Sequence, residues 1–267
     1  MPNDTRTRKM TPRSSLCKHV RFTVPVSWEQ LTQQQLHFVL KLYYLYGSHP
    51  SGLTVVKVHA LRYFCGFEVI RHTDAGWLCR LQESGKEFLL NAELLPSMEE
   101  QLSWLEQPED MTVRIENVCG YEAANMWLQK LHFGHYLALE NHYQNYLQGH
   151  EQKQLDRMLH YLYGIPVNPY LDIPVEPYVL LSAFFWFTAV KKRFSQIFPH
   201  FLKRAGNGRQ TGTWQTQFEM TQMQIRLLTK GDVTRYQQVI DSDTWQALYE
   251  LDALARDSEE FKRKYGK

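Results

Sequence analysis

Histidine is the residue type in this chain that most invites chemistry. There are eleven, and His132, His135 and His142 fall in one stretch with Glu140 between them. A zinc site or a metal-assisted general base asks for imidazoles and a carboxylate on one helix face, as in H-E-x-x-H. On a helix His135 and His142 share a face, but Glu140 is five residues from His135 and rotated away. No set at ligand spacing appears, so the histidines are expected to be polar surface groups and no metal site is predicted. The nucleophiles lead no further. Ser195 sits in a basic helical stretch with no G-x-S-x-G around it. Cys65 and Cys119 would need a neighbouring base, and no pairing is legible. Gly206-Asn207-Gly208 lacks the G-x-x-x-x-G-K-[ST] pattern of a phosphate-binding loop and follows no predicted strand, so it is assigned to a flexible linker. The carboxylates of 241–260 alternate with Arg256 and Lys262, the pattern of a solvated helix face. The expectation is a non-enzymatic protein with no cofactor and no catalytic residue.

One binding constellation stands out. Lys191, Lys192 and Arg193, continued by Lys203, Arg204 and Arg209, are interleaved with Phe194, Phe198, Phe201 and Trp214. Cations could neutralise phosphates while exposed rings stack on bases, which makes these six basic residues the candidate nucleic-acid site. The rival account is structural. The rings extend the core stripe of the preceding helix, and the cations complement its C-terminal dipole and flank the loop. A second basic segment lies at the start of the sequence. Residues 1–21 hold Arg6, Arg8, Lys9, Arg13, Lys18 and Arg21 against Asp4 alone, a balance of +5, so the rest of a chain of net charge +2 is slightly acidic. Such a segment is expected to be a solvated disordered tail able to meet nucleic acid or an acidic surface.

The elements that would position these groups are mostly helical. Tyr178–Val190 runs thirteen residues without a charge, through Phe184-Phe185-Trp186-Phe187. As a helix it rises roughly 20 Å, short of the roughly 30 Å of a bilayer core, so it is expected to be buried among other helices, with no membrane contact. Ser27/Gln30 and Thr32/Gln35 both have capping-box spacing. They predict a short turn at 27–31 and a helix from about Thr32 with Leu36, Val39, Leu40 and Tyr43 on one stripe. Residues 53–64 read as a second helix, with a strand left open by Val55, Val56 and Val58. Phe67–His72, Trp77–Gln82 and Glu87–Leu90, separated by turns holding Gly76 and Gly85, read as an antiparallel β-meander. Helices are then expected over 96–105, 121–131, 134–148, 151–163, 178–197 and 214–229, and from Asp243 to about Lys262, with a short strand at 113–118. Gly164–Pro177 carries four prolines and must be a connection. Gly231 is expected at the C′ position of helix 214–229, and Thr234 with Gln237 repeats the capping spacing. Trp245, Leu248, Tyr249 and Leu251 are the expected core stripe of the last helix.

The fold class is therefore α+β, mainly α-helical, with a small sheet near residues 67–90 on a helical body. The expected organisation is a basic tail (1–21), a helix-plus-meander lobe (22–110) and a helical lobe (111–267), with 22–267 as one domain the alternative. Hydrophobic residues at 43% are enough for a substantial core. No secretory signal is legible in residues 1–21, and the four cysteines form no C-x-x-C pair. Free thiols in a cytoplasmic protein are expected.

Three stretches also carry a family resemblance: Val24-Pro25-Val26-Ser27-Trp28-Glu29-Gln30-Leu31-Thr32, Phe185-Trp186-Phe187 through Phe198-Pro199-His200-Phe201, and Gln224-Ile225-Arg226-Leu227-Leu228-Thr229-Lys230-Gly231-Asp232-Val233-Thr234 through Trp245 to Leu251. In this order they are similar to a bacterial prophage-encoded family found among tail and structural genes. The resemblance implies a role in virion assembly, as a tail-assembly chaperone or a small tail component. The implied partners are other phage structural or tail proteins, and self-association is left open. It supplies no catalytic motif. Nucleic-acid binding through the basic tail and 191–209 is the alternative function.

Overall fold

The computed structural model describes residues 20–166, 174–206 and 214–265. Helix α1 (Gln33–Tyr46) opens on the predicted capping box. The Thr32 hydroxyl accepts from the Gln35 amide at 3.2 Å, and Gln35 Oε1 accepts from Thr32 N at 2.9 Å. The first capping pair behaves differently. Ser27 makes no side-chain cap on the 3₁₀ turn Trp28–Gln30, and Gln30 reaches back instead to Val26 N. Helix α2 (Gly52–Cys65) forms despite its valines and stops at Gly66, whose φ of +61° closes the last turn. α1 and α2 pack as a hairpin, with the Phe38 and Tyr63 rings stacked at 4.0 Å.

The meander follows as expected: β1 (Phe67–Thr73), β2 (Gly76–Leu81) and β3 (Glu87–Asn91), antiparallel in that order. Cys79 sits opposite both Val69 and Phe88. The β1 register shifts between Val69 and Arg71, a bulge at Ile70. Gly76 has φ +138°, and a Cβ there would lie 2.1 Å from the Leu90 carbonyl oxygen, so glycine is required. The inner face (Phe67, Cys79, Phe88, Leu90) forms its own small core, covered by Val20, Phe22 and Met98. On the other face Arg80 bridges Glu68 and Glu87 across the strands.

The predicted helix 96–105 divides. Helix α3 (Leu95–Glu100) ends early, and the chain continues as 3₁₀ turns at Ser103–Glu106 and Pro108–Asp110. Leu102 and Leu105 are both buried, and a three-residue turn puts that spacing on one side. In the predicted strand 113–118 only β4 (Asn117–Val118) pairs, with β5 (Tyr121–Glu122). Residues 114–116 are held by a side chain: Gln33 Nε2 donates to Arg114 O and Gln33 Oε1 accepts from Glu116 N, both at 3.0 Å. The helix expected over 121–131 is absent; past β5 that stretch is an irregular loop.

α4 (Phe133–Gly149) and α5 (Gln152–Tyr163) form a second hairpin. α6 (Pro177–Ile197) carries the charge-free run and packs on α1, α5 and the 108–110 turn. Trp186, Phe187 and Phe194 are fully buried. One hydrophobic cluster runs from Trp28 to Leu251, so the segments before and after residue 110 share a core. The chain ends in α7 (Pro199–Gly206), α8 (Trp214–Thr229), α9 (Tyr236–Ile240) and α10 (Thr244–Tyr265).

Three C-terminal details differ from expectation. The left-handed C′ residue of α8 is Lys230 (φ +55°), with Gly231 next; Gly231 N bonds Arg226 O and Lys230 N bonds Leu227 O, a Schellman pair. The turn before α9 is capped by Asp232, which accepts from both Thr234 N and Thr234 Oγ1, so Thr234 is no N-cap. Tyr249 is exposed, whereas Leu248 and Leu251 are buried. Among the described residues no helix is long and apolar enough to cross a membrane.

Candidate nucleic-acid interface and docking surface

The basic triplet occupies the last turns of α6, and each member is engaged within the protein. Lys191 pairs with Glu140 of α4, with its ammonium 5.3 Å from the Tyr143 ring centroid. Glu140 Oε1 also accepts from Gln144 Nε2 at 2.8 Å. Lys192 pairs with Asp110 and lies 3.9 Å from Glu109, tying α6 to the 108–110 turn. The exposed Arg193 places its guanidinium 6.0 Å from the Trp127 ring centroid. The neighbouring aromatics point inward. Phe194 and Phe198 are buried, and both meet Trp245 edge-on at 5.5 and 5.7 Å. Phe201 is half-buried against the main core. Phe194 and Phe198, two of the rings that would stack on bases at this site, are thus core residues, while two of the three cations of the triplet already hold carboxylates.

Lys203 and Arg204 lie on the backbone of α7. Arg209 lies outside the described residues, as do residues 1–19 of the basic tail and 207–213 of the expected linker. The start of α7 faces an acid: Asp252 Oδ1 of α10 accepts from His200 N and Phe201 N at 2.8 and 2.9 Å. His200 Nδ1 lies 2.9 Å from Glu259 Oε2.

The histidine stretch resolves into a line of rings along α4 and α5. His132 contacts His135, and Tyr161 contacts His135, His142 and His160. Burial is the main cause lowering the His142 pKa, with Arg157 and His160 adding to it and the Gln154 hydrogen bond opposing it. Among the described residues no group of His, Cys, Asp or Glu side chains could hold a metal ion. Burial pushes the Cys65 thiol up to about 12, which suits a packing residue better than a nucleophile.

Sequence reasoning missed the loop 123–132. Two indoles hold successive carbonyls there: Trp186 Nε1 of α6 donates to Met126 O at 2.8 Å, and Trp245 Nε1 of α10 donates to Trp127 O at 2.6 Å. Asp243 Oδ2 accepts from Lys130 N at 2.7 Å, while its Oδ1 caps α10 through Trp245 N and Gln246 N. Leu131 O accepts from both Thr244 N and Thr244 Oγ1. Leu128 and Lys130 both adopt positive φ, at 57° and 65°. A non-glycine residue holds that conformation at a cost of about 1–2 kcal/mol, and these external bonds offset it. The helical periodicity of 121–131 hid all of this. Asn125, whose side chain accepts from Trp127 N, was the only local turn signal.

Several large exposed apolar side chains lie on the C-terminal helices and the turn before α9. Val233 is 84% exposed and Tyr249 71%. Met223, Leu227 and Tyr236 are exposed with them on α8 and α9, and α8 contacts both α9 and α10. No protein-family model, curated protein or solved structure matches this chain.

Proposed function

We propose that this chain is an assembly protein of a bacterial virus, acting in the host cytoplasm by docking tail or other structural proteins, with no catalytic step. The observation that carries the reading is the exposed apolar set Met223, Leu227, Val233, Tyr236 and Tyr249 on contacting helices. Single exposed apolar residues are ordinary on any surface, whereas a concentration of large ones is the usual mark of a protein contact. The same helices carry the third stretch of the prophage-family resemblance, from Gln224 to Leu251. The nucleic-acid alternative has less support at 191–198, where Lys191 and Lys192 are paired and Phe194 and Phe198 buried.

Co-expression of the tagged chain with the products of its neighbouring genes tests the reading. A stable complex with a tail or structural protein is expected, weakened about tenfold or more by the double substitution Met223→Ser with Tyr249→Ser, the size of effect that loss of a buried anchor gives. If the chain binds none of those products, or if the double variant binds as well as the parent, the proposal fails.

A further inference from the structure

The ingredients sought at residues 191–209, unpaired cations beside accessible rings, occur together elsewhere. α10 buries Thr244, Ala247, Leu248 and Leu251 in its first turns, and from residue 252 onward none of its residues is buried. Near its C-terminal end Phe261 is 65% exposed and Tyr265 72%. They stand four apart, on one face, with ring centroids 5.0 Å apart. Lys262, Arg263 and Lys264 lie between them, all exposed, and none forms an ion pair among the described residues. The local acids sit upstream: Asp257 is 3.7 Å from Arg256, Glu259 is bonded to His200, and Glu260 is exposed. Residues 261–267 contain four cations and no acid. Cations in a last helical turn complement the helix dipole, which accounts for the lysines but leaves two large rings in water unexplained.

We propose that the C-terminal end of α10 is a binding site for single-stranded nucleic acid, with Phe261 and Tyr265 stacking on bases and Lys262, Arg263 and Lys264 neutralising the backbone. The chemistry is that of a stacking platform. Every base has a π-face, so exposed rings accept any sequence, and a cluster of exposed cations with no ion-pair partner among the described residues supplies attraction to phosphates. Unpaired bases are required because the faces of bases in a duplex are already stacked. The proposal does not depend on the docking role of α8–α10, and either can fail alone.

Fluorescence anisotropy of the full chain with labelled oligo-dT and oligo-U provides the test. Binding is expected at about 50 mM salt and should fall as salt rises, with a log–log slope near −2 for about three phosphate contacts. Tighter binding of one oligomer identifies DNA or RNA as the natural strand. Phe261→Ala and Tyr265→Ala should each weaken binding by about fivefold or more, the effect of losing one stacked base. The triple variant Lys262→Gln, Arg263→Gln, Lys264→Gln should flatten the salt slope, and Arg193→Gln should change neither quantity. These positions are exposed, and unchanged circular dichroism confirms that the variants fold. The proposal is overturned by absence of binding at low salt, by aromatic variants that bind like the parent, by equal competition from duplex DNA, or by binding confined to anionic phospholipid vesicles.

Discussion

Asp243 should be among the most sensitive exposed-side positions of the fold, because one carboxylate does two separable jobs. Oδ1 caps α10 through Trp245 N and Gln246 N at 2.9 and 3.2 Å. Oδ2 holds the amide of Lys130, a residue at φ +65°, at 2.7 Å. Losing a cap costs about 1 kcal/mol. A hydrogen bond to a charged group is worth about 1.5–3 kcal/mol, and the half-buried position favours the low end. Asp243→Ala should therefore destabilise by about 2.5–3 kcal/mol. Asp243→Asn keeps a good cap but turns an amide nitrogen toward Lys130 N, so it should cost only about 1.5 kcal/mol. Urea unfolding reports both as a fall in midpoint at constant m. The difference between the variants isolates the cap, and the Asn value isolates the loop contact. A cost below about 1 kcal/mol for alanine would show that the loop does not need this anchor. Equal costs for both variants would show that the cap is not a separate contribution.

Trp186→Phe removes the indole donor from Met126 O in a fully buried site; a drop of about 2–4 kcal/mol in urea unfolding is expected, since a carbonyl is left unpaired and a void opens. Gly134→Ala puts a Cβ 2.5 Å from Ile240 Cγ2, so overpacking of about 1–3 kcal/mol should outweigh the roughly 1 kcal/mol helix-propensity gain, and Ile240→Ala in the same chain should recover part of the loss in a double-mutant cycle. The exposed Cys119 should react with a disulfide reagent well before the buried Cys79 or the half-buried Cys65, whose thiol desolvation pushes up to about 12, and Cys119→Ser should remove one fast equivalent. His142 has a folded pKa below its ordinary value, so its contribution is fully present above about pH 6.5 and is lost as the pH falls toward the folded value; His142→Gln should flatten the stability–pH curve there, read by chemical denaturation at stepped pH.

What the sequence disclosed was whatever local chemistry decides. Thr32 and Gln35 announce a helix start by spacing alone, and both capping bonds form. The Gly-containing turns and alternating apolar residues of 67–90 announce the meander, since strand pairing across a tight turn is also local. α6 was legible because a charge-free run bounded by Pro177 and Lys191 has few other places to go. The loop at 123–132 was not legible, because its partners are remote. Trp186 and Trp245 lie 60 and 118 residues away from the carbonyls they bind. Ala-Ala-Asn-Met-Trp-Leu-Gln-Lys-Leu has good helix formers, and tertiary bonds override that propensity. The same limit applies to the basic triplet. Its residue types were right for phosphate contact, but Glu140 and Asp110, which hold the two lysines, lie far away in sequence. Tyr249 failed as a core residue for a related reason: a helical stripe predicts a shared face but not how wide a face the neighbouring helices cover.

α10 joins these observations physically. Its root is fixed at many points: Asp243 and Thr244 lock it to the 130–131 backbone, Trp245 to Trp127, and Leu248 and Leu251 to the core. Its distal part, residues 252–265, has no buried side chain. A helix of that length is marginal in water by itself. It therefore depends on continuity with the root and on α7, where Asp252 accepts the His200 and Phe201 amides and Glu259 holds the His200 ring. An element firmly seated at one end and lightly supported at the other can present exposed rings and cations to a ligand with little ordering cost, because the helix already exists before contact. The strained loop serves the same end. Leu128 and Lys130 keep left-handed backbone only because α6 and α10 grip their neighbours, so loosening either helix should release the loop and, with it, the orientation in which α10 is held.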